Sequence, residues 1–264
     1  MKARGFTLIE LVIVLALIGI SAIFGTRFIA DMATAYVGTA ERGQALAGAR
    51  FAMERIKREL SLAYSPSVYV SANEDGIDNR CVSFVPVLAS GRYNGRVTDL
   101  NPDATFIIPL IQQGNAIEKV NLTVRADSGE AVWQDYPGTR PMNVVEFGYK
   151  KPEEEVKLPA SLPFADAFRF SAGEVSFGRE GLGKRYVLLQ RRQVRFCLQH
   201  GALWRYENTG SGWSPAVLML NNVVSNRVFS DYNESLQLLV MSLSLQTRDG
   251  ELVLPSQIQV IYEP

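Results

Sequence analysis

The sequence predicts an α+β fold in which a long N-terminal α-helical spine packs on a mainly antiparallel β-sheet head. Two observations carry this prediction. The segment from Phe6 to Tyr64 contains no proline, and its apolar residues form first a continuous run and then a pattern at helical spacing. From Ser65 onwards, proline and glycine separate short runs of β-branched and aromatic residues, which is the pattern of strands joined by turns.

The composition is that of a folded chain without an excess of either charge. Hydrophobic side chains make up 47% of the 264 residues, and 27 Lys and Arg residues balance 27 Asp and Glu residues. Intrinsic disorder needs lower hydrophobicity or a larger net charge. No nucleic-acid partner is expected, because phosphate contacts require a surplus of cations. Two cysteines are too few for a disulfide-dense scaffold.

The first element is predicted to cross a membrane. The twenty residues from Phe6 to Gly25 contain a single ionisable side chain, that of Glu10. Twenty helical residues span about 30 Å, which is the thickness of the hydrocarbon core of a bilayer. Lys2 and Arg4 precede this run. The positive-inside rule therefore places the N-terminus in the cytoplasm and the rest of the chain across the membrane.

Glu10 is a costly residue for a plain membrane anchor. A carboxylate near the centre of an apolar span costs about 2.5–3.5 kcal/mol, and less near an interface. Such a residue indicates a functional role and requires a partner. Cleavage before Phe6 would create an α-ammonium group one helical turn from Glu10, so the two charges could pair within one chain or between neighbouring chains.

Gly5 and the following FTLIELVIVLALIGI, after a short basic leader, resemble the class III signal sequence of type IV pilins and pseudopilins. The resemblance implies that a prepilin peptidase cleaves after Gly5 and methylates the new N-terminal Phe6. It also implies that Glu10 is the carboxylate required for methylation and assembly. The pilin-like organisation expected from it is a leader peptide at 1–5, a helical spine at 6–64 with 6–26 in the membrane, and a periplasmic head at 65–264.

Two other interpretations of the N-terminus remain open. An ordinary secretory signal needs a small-x-small cleavage sequence, and Ala33–Ala35 matches it, although Arg27 and Asp31 lie between this sequence and the apolar core. A plain single-span anchor leaves Gly5 and Glu10 without a role.

Beyond the membrane the helix is predicted to continue with an apolar stripe that packs on the head. The stripe follows a period close to 3.6 residues. A continuous helix from Phe6 to Tyr64 would be about 90 Å long. The members of the stripe are Met32, Tyr36, Ala40, Gly43, Leu46, Met53, Ile56, Leu60 and Ala63.

Short β-like runs are predicted to build the head, with ANEDGIDN and SGRYNGRVTDLNPD as loops between them. The runs of the first half are Cys81–Leu88, Thr105–Ile111, Lys119–Ala126 and Met142–Tyr149. In the second half, His-Gly and Asp-Gly sequences predict two hairpins. Pro255 indicates an edge strand or a bulge in the second of them. The hairpins join 184–200 to 202–208 and 234–247 to 251–263.

Parts of the head resemble a narrower group. QVRFCLQHGALWRYEN resembles the hairpin of J-type pseudopilins and W-type minor pilins. NRCVSFVPVLASGRY, VVSNRVFSDY and the closing LSLQTRDGELVLPSQIQVIYE resemble a minor pilin of the mannose-sensitive haemagglutinin pilus. Asn226 stands where a cysteine is expected in close relatives. The resemblance implies a non-enzymatic minor pilin of the bacterial inner membrane that acts in the initiation of filament assembly or at the tip.

The implied partners are the prepilin peptidase, other major and minor pilins, the inner-membrane assembly platform and inner-membrane lipid. Two alternatives remain for the function. A J-type minor pseudopilin of a type II secretion system would have the same anchor, hairpin and fold. A single-span periplasmic enzyme or ligand-binding protein would keep its leader or have a head that is active on its own.

No catalytic residue, cofactor or metal site is predicted. His200 is the only histidine and lies at a predicted turn, where a general base is not expected. Glu74, Asp75, Asp78 and Asn79 are the best calcium candidates, but their spacing is not that of an EF-hand and favours a solvated acidic loop.

Cys81 and Cys197 both lie on the expected periplasmic side. An oxidising compartment and an even count favour a disulfide between them, and two buried thiols in separate strands are the alternative. Four arginines could gather on one sheet face and contact DNA or another subunit, although ordinary surface cations are preferred in a neutral chain. They are Arg191, Arg192, Arg195 and Arg205.

Overall fold

One long apolar N-terminal helix packs on antiparallel β-sheets, as the sequence predicts. The computed structural model describes residues 7–98, 105–108, 120–124, 144–147, 168–171, 177, 180–209, 212–248 and 250–261. Helix α1 extends from Leu8 to Leu60. Short 3₁₀ helices at Ser65–Ser67 and Leu182–Lys184 lie in connections between the larger elements.

Strands within the described residues form three groups in which every pairing is antiparallel. The strands are β1 (Tyr69–Ser71), β2 (Cys81–Phe84), β3 (Val87–Asn94), β4 (Thr105–Ile108), β5 (Val120–Thr123), β6 (Val144–Phe147), β7 (Phe168–Ser171), β8 (Arg185–Leu189), β9 (Gln193–Gln199), β10 (Ala202–Asn208), β11 (Val217–Leu220), β12 (Leu238–Thr247) and β13 (Gly250–Gln259). A five-stranded sheet, called the central sheet below, has the order β1-β2-β9-β10-β11. A second sheet has the order β6-β5-β8-β3-β4-β7, and β12 pairs with β13.

α1 ends at Leu60, before the predicted boundary at Tyr64, because the chain there joins the strands. Ala63 forms an isolated bridge with Pro86, and the Tyr64 N–H donates to the Val85 carbonyl at 2.9 Å. These contacts replace the hydrogen bonds that a further helical turn would have made.

The main hydrophobic core lies between the second half of α1, the central sheet and the hairpin of β12 and β13. Successive strand residues point to opposite sides of a sheet, so one residue in two faces the helix. In β9 these are Val194, Phe196 and Leu198, which are buried in this core. The fully buried side chains that α1 adds are Ala49, Ala52, Ile56 and Leu60.

The apolar stripe predicted for α1 is wrong in its first half. Met32 and Tyr36 are 57% and 77% exposed, and they do not touch the head core. The contact begins instead at Ala45 and continues through Ala49 and Ala52, which the predicted stripe omits. Alanine adds little to a pattern of hydrophobicity, but its small side chain lets the helix backbone lie close to the sheet.

Both predicted hairpins are present. The turn between β9 and β10 places His200 and Gly201 at φ of 50° and 71°, and Gly250 has a φ of 120° at the start of β13. Glycine adopts such angles without a steric penalty. The two turns thus form where the sequence has His-Gly and Asp-Gly.

Two predicted strands are each divided between different sheets. CVSFVPVL contains β2 and the start of β3, which separate at Pro86 because proline has no N–H to donate to a ladder. The run 184–200 contains β8 and β9, and between them the Gln190 N–H donates to the Pro86 carbonyl at 2.9 Å. The predicted loop SGRYNGRVTDLNPD supplies the end of β3, as far as Asn94.

Candidate functional site

The first half of α1 is an apolar surface that the head does not cover. No side chain between Leu8 and Ile29 is buried, and Ile13, for example, is 53% exposed. Within the described residues, α1 is the one helix long and apolar enough to cross a membrane. Apolar area exposed to water costs about 25 cal/mol per Å². So extensive a surface is suited to lipid or to the apolar faces of other helices.

Glu10 lies in the first turn of this surface. Thr7 caps α1 with an extended backbone, φ −78° and ψ 150°, and its Oγ1 accepts the Glu10 N–H at 3.4 Å. Thr-x-x-Glu is the sequence of a capping box. In the described part of the chain, the Glu10 carboxylate has no ion-pair partner. Gly5 and Phe6 lie outside the described residues, so their roles stay predictions.

A chain of charged side chains joins the last turn of α1 to the central sheet. Arg205 Nη2 lies 3.0 Å from Glu59 Oε2, and Arg205 Nη1 lies 3.2 Å from Glu207 Oε2. Arg55 Nε also pairs with Glu59, and Arg192 Nη1 contacts Glu207 Oε1 at 3.1 Å. The Arg205 and Glu59 side chains are only 12% and 16% exposed, so salt screens their attraction less than on an open surface.

The charged groups at this contact between α1 and the central sheet, called the charged joint below, shift one another's pKa values. Burial alone would lower the pKa of Arg205, but hydrogen bonds and attraction from Glu59 and Glu207 raise that pKa above its usual value. Burial alone would raise the pKa of Glu207, but Arg192 and Arg205 hold it below the ordinary range. Both shifts favour the charged forms of Arg205 and Glu207.

Sequence reasoning missed this joint because Glu59 and Arg205 are 146 residues apart. One signal was present in the strand itself. Leu203, Arg205 and Glu207 alternate along β10, so an apolar residue and two charges share the side that faces α1. Charged residues at inward positions of a strand require partners, and here the helix supplies one.

The arginines of the second half do not gather on one face. Arg205 faces α1, whereas Arg195 lies on the opposite side of the central sheet. Arg195 Nε donates to Ser83 Oγ at 2.9 Å, and its guanidinium lies 4.3 Å from the centre of the Trp213 ring. Arg191 lies in the bend between β8 and β9.

Cys81 and Cys197 form a disulfide between the adjacent strands β2 and β9. The two residues are directly opposite each other in the strand register, and their Cα atoms are 4.1 Å apart. The bond lies on the side of the central sheet away from α1, because the flanking Phe196 and Leu198 face the helix core.

His200 lies in a hairpin turn, and the side chains of the acidic loop form hydrogen bonds with one another and with Asp231. His200 is exposed in the hairpin turn. Asn73 Nδ2 donates to Asp75 Oδ2 at 3.0 Å, and Asn79 Nδ2 donates to Asp231 Oδ1 at 3.2 Å. Over the described ranges, no group of three His, Cys, Asp or Glu side chains is placed to hold a metal ion.

The comparisons with known proteins bear on the N-terminal segment. Residues 1–26 match the family model described as the prokaryotic N-terminal methylation motif. Neither curated proteins nor solved structures show a significant match to the chain. The motif implies processing by prepilin peptidase and association with other pilins, and it indicates a structural protein rather than an enzyme. With the apolar helix it is consistent with an anchor in the inner membrane. The chain thus carries a class III prepilin-type signal, which supports a type IV pilin-like or pseudopilin protein.

Proposed function

We propose that this chain is a minor pilin of a type IV pilus, related to the minor pilin MshO of the mannose-sensitive haemagglutinin system. It acts in the initiation of filament assembly or at the filament tip. The observation that carries the proposal is the position of Glu10 in the first turn of an uncovered apolar helix, inside the methylation motif. The head segments that resemble this subgroup support the narrower assignment.

In this proposal the chain is stored in the inner membrane with its head in the periplasm. Prepilin peptidase removes Met1–Gly5 and methylates the α-amino group of Phe6. Glu10 then neutralises the Phe6 ammonium group of a neighbouring pilin. Because an unpaired charge inside an apolar bundle is costly, the axial register that brings the two charges together is the most stable one. The assembly platform and the other pilins are therefore the partners, and the sequence predicts no cofactor.

The N-terminus of the protein extracted from membranes tests the processing step. Edman sequencing and mass spectrometry are expected to find N-methyl-Phe6 as the first residue. An intact Met1 would favour a plain anchor, and a terminus beyond Ala35 would favour an ordinary secretory signal. Either result would overturn the proposal.

Glu10→Gln tests the assembly step. Glutamine is also accepted at this position of a capping box, so the substitution removes the charge while the helix start is preserved. We expect a chain that still inserts in the membrane but supports far fewer pili, counted by electron microscopy. Ser21→Ala in the same apolar surface is the matched control and is expected to keep the wild-type pilus number. Equal pilus numbers for Glu10→Gln and wild type would contradict the mechanism.

A J-type minor pseudopilin of a type II secretion system is the alternative, because its hairpin resembles the one formed here by β9 and β10. Deletion of the gene separates the two functions. Loss of pili with normal secretion of exoproteins supports the pilus assignment. Loss of secretion with normal pili supports the alternative.

A further inference from the structure

We infer that the side of the central sheet away from α1 is a docking surface for a carboxylate-bearing face of another pilin head. The inference rests on the proposed function and names the part of the head that a neighbour contacts. The surface, called the aromatic row below, consists of Tyr69, Arg195, Tyr206 and Trp213, with the buried Ser83 between Tyr69 and Arg195 in the strand register.

The strand register places the aromatic row on one face. Tyr69 pairs with Ser83, Ser83 with Arg195, and Arg195 with Tyr206, so these residues lie side by side across β1, β2, β9 and β10. Residues directly opposite in neighbouring strands project to the same side. Trp213 covers one end of the row: its ring lies under the Arg195 guanidinium and meets the Tyr206 ring edge-on at 6.4 Å between centroids.

Arg195 is the one cation of the row, and it has no ion-pair partner among the residues the structure describes. Its Nε is used by Ser83 Oγ, and its ring contact is with Trp213. No carboxylate of the described ranges lies within 4 Å of it, in contrast to Arg205 on the other face. Glu74, an exposed carboxylate on the neighbouring loop, attracts Arg195 electrostatically but forms no ion pair with it within 4 Å.

The Nη groups of the half-buried Arg195 have no hydrogen-bond partner among the described residues and are not fully buried. A guanidinium presents parallel N–H groups that match the two oxygens of a carboxylate. The half-buried setting and the aromatic ring below it hold the fork in one orientation. An Asp or Glu side chain from a partner would neutralise the Arg195 charge and accept hydrogen bonds from its Nη groups.

The surroundings of Arg195 favour a protein partner over a small ligand. Tyr69 is 52% exposed and Trp213 is 40% exposed, and the exposed Leu218 of β11 lies beyond them in the same sheet. Tyr, Trp and Arg are the residue types that dominate the binding energy of protein interfaces. The aromatic row lies on a sheet face and is bordered by the aliphatic Leu218. Such a surface is suited to contact another folded head.

The disulfide crosslinks β2 and β9, the two strands that carry Ser83 and Arg195. Cys81 and Cys197 join β2 and β9 two register pairs away from Ser83 and Arg195, and therefore on the same side of the sheet. A covalent link between the strands that carry the row limits their relative movement. An interface that is ordered before binding loses less conformational entropy when the partner docks.

Photo-crosslinking in piliated bacteria tests the inference with the full-length chain. A benzoylphenylalanine is introduced at Tyr69, whose side chain is half exposed and has no role in the core. The expected adduct joins this chain to another pilin, with a crosslinked peptide that contains or adjoins an Asp or Glu in the partner's head. Arg195→Glu in the same background is expected to lower the adduct yield at least tenfold, because like charges then meet. Arg227→Glu is the matched control, with the same charge change at another exposed arginine, and is expected to leave the yield unchanged.

Arg195→Lys and Tyr69→Ser guard against misfolding, because the first keeps the charge and the second changes an exposed side chain. Both are expected to lower the yield measured from a second crosslinker at Leu218, with an unchanged urea midpoint of the head followed by circular dichroism. Adducts only with saccharide or lipid, or a yield that Arg195→Glu does not change, would overturn the inference. If Phe6 is methylated and pili form normally in that case, the proposed function stands while the docking surface fails. An unprocessed N-terminus would instead overturn the proposed function.

Discussion

The two halves of α1 belong to one continuous helix but have opposite relations to their surroundings. From Leu8 to Ile29 apolar residues cover all sides and none is buried by the protein. From Ala45 to Leu60 one side is buried against the head, and the opposite side carries exposed charges such as Glu54 and Arg58. Helical hydrogen bonds are the same in both halves. The difference teaches that the first half depends on partners outside the chain and the second half on the head.

The largest expected effect on the head-bound half comes from removal of the disulfide. The double substitution of Cys81 and Cys197 by alanine frees a loop whose ends are 116 residues apart. In the chain-entropy model such a crosslink contributes about 4–5 kcal/mol to the free energy of unfolding. We expect a loss of this size in urea titrations followed by tryptophan fluorescence in detergent. If the first half of α1 unfolded together with the head, the two halves of the helix would not be independent. Circular dichroism would detect this as a loss of helical signal at the same urea concentration.

Ile56→Ala and Ile13→Ala compare the halves directly. Ile56 is fully buried in the helix–sheet core, whereas Ile13 is exposed. The cavity at Ile56 is expected to lower the free energy of unfolding of the head by about 3 kcal/mol, within the range for such truncations. Ile13→Ala is expected to leave it unchanged. Similar effects of both substitutions on the urea midpoint would contradict independent halves.

Glu59→Gln tests the charged joint at the end of α1. The substitution weakens contacts with Arg55 and Arg205 and leaves the little-exposed Arg205 charge with Glu207 alone. Hydrogen bonds to charged groups contribute about 1.5–3 kcal/mol, so we expect a loss of about 2 kcal/mol. Glu54→Gln on the exposed side of the same helix is the control and should change stability by less than about 0.5 kcal/mol. If Glu54→Gln costs as much, the effect arises from helix charge and not from the joint.

The smallest expected effect is a dependence on acid pH that is specific to Glu207. Its pKa in the folded chain lies below the ordinary value of 4.5, so the unfolded chain takes up the proton more readily. The stabilisation is therefore fully present above pH 4.5 and is lost as the pH falls through the lowered pKa. Urea midpoints measured between pH 6 and pH 3 should fall more for the wild type than for Glu207→Gln. Parallel curves would show that Glu207 does not contribute.

The sequence predicts best those features that depend on neighbouring residues. The membrane-compatible half of α1 follows from composition, and the two hairpin turns follow from the positive φ angles that Gly201 and Gly250 allow. The pairing of these hairpins then follows from chain connectivity.

Features that depend on distant residues were missed or only partly predicted. The face of α1 that meets the head includes the predicted Ile56 and Leu60, but also Ala45, Ala49 and Ala52, whose burial depends on a sheet formed far along the chain. The contact between Glu59 and Arg205 and the aromatic row around Arg195 depend on strand pairings between distant segments, and the alternation along β10 indicates only that its inward charges need partners. Gly5, Phe6 and Glu10 were predicted from a short motif, and their roles stay predictions.

The bond between Cys81 and Cys197 also has a mechanical consequence. Tension on α1 enters the head through residues 61–80, which include β1, and then reaches Cys81 at the start of β2. From there the disulfide transmits it directly to β9 in the middle of the central sheet. The chain between the two cysteines carries no load, although fully extended it would measure about 400 Å at roughly 3.5 Å per residue. When the head is pulled from its helix, the disulfide therefore keeps β2 and β9, the two inner strands that carry Ser83 and Arg195, from separating.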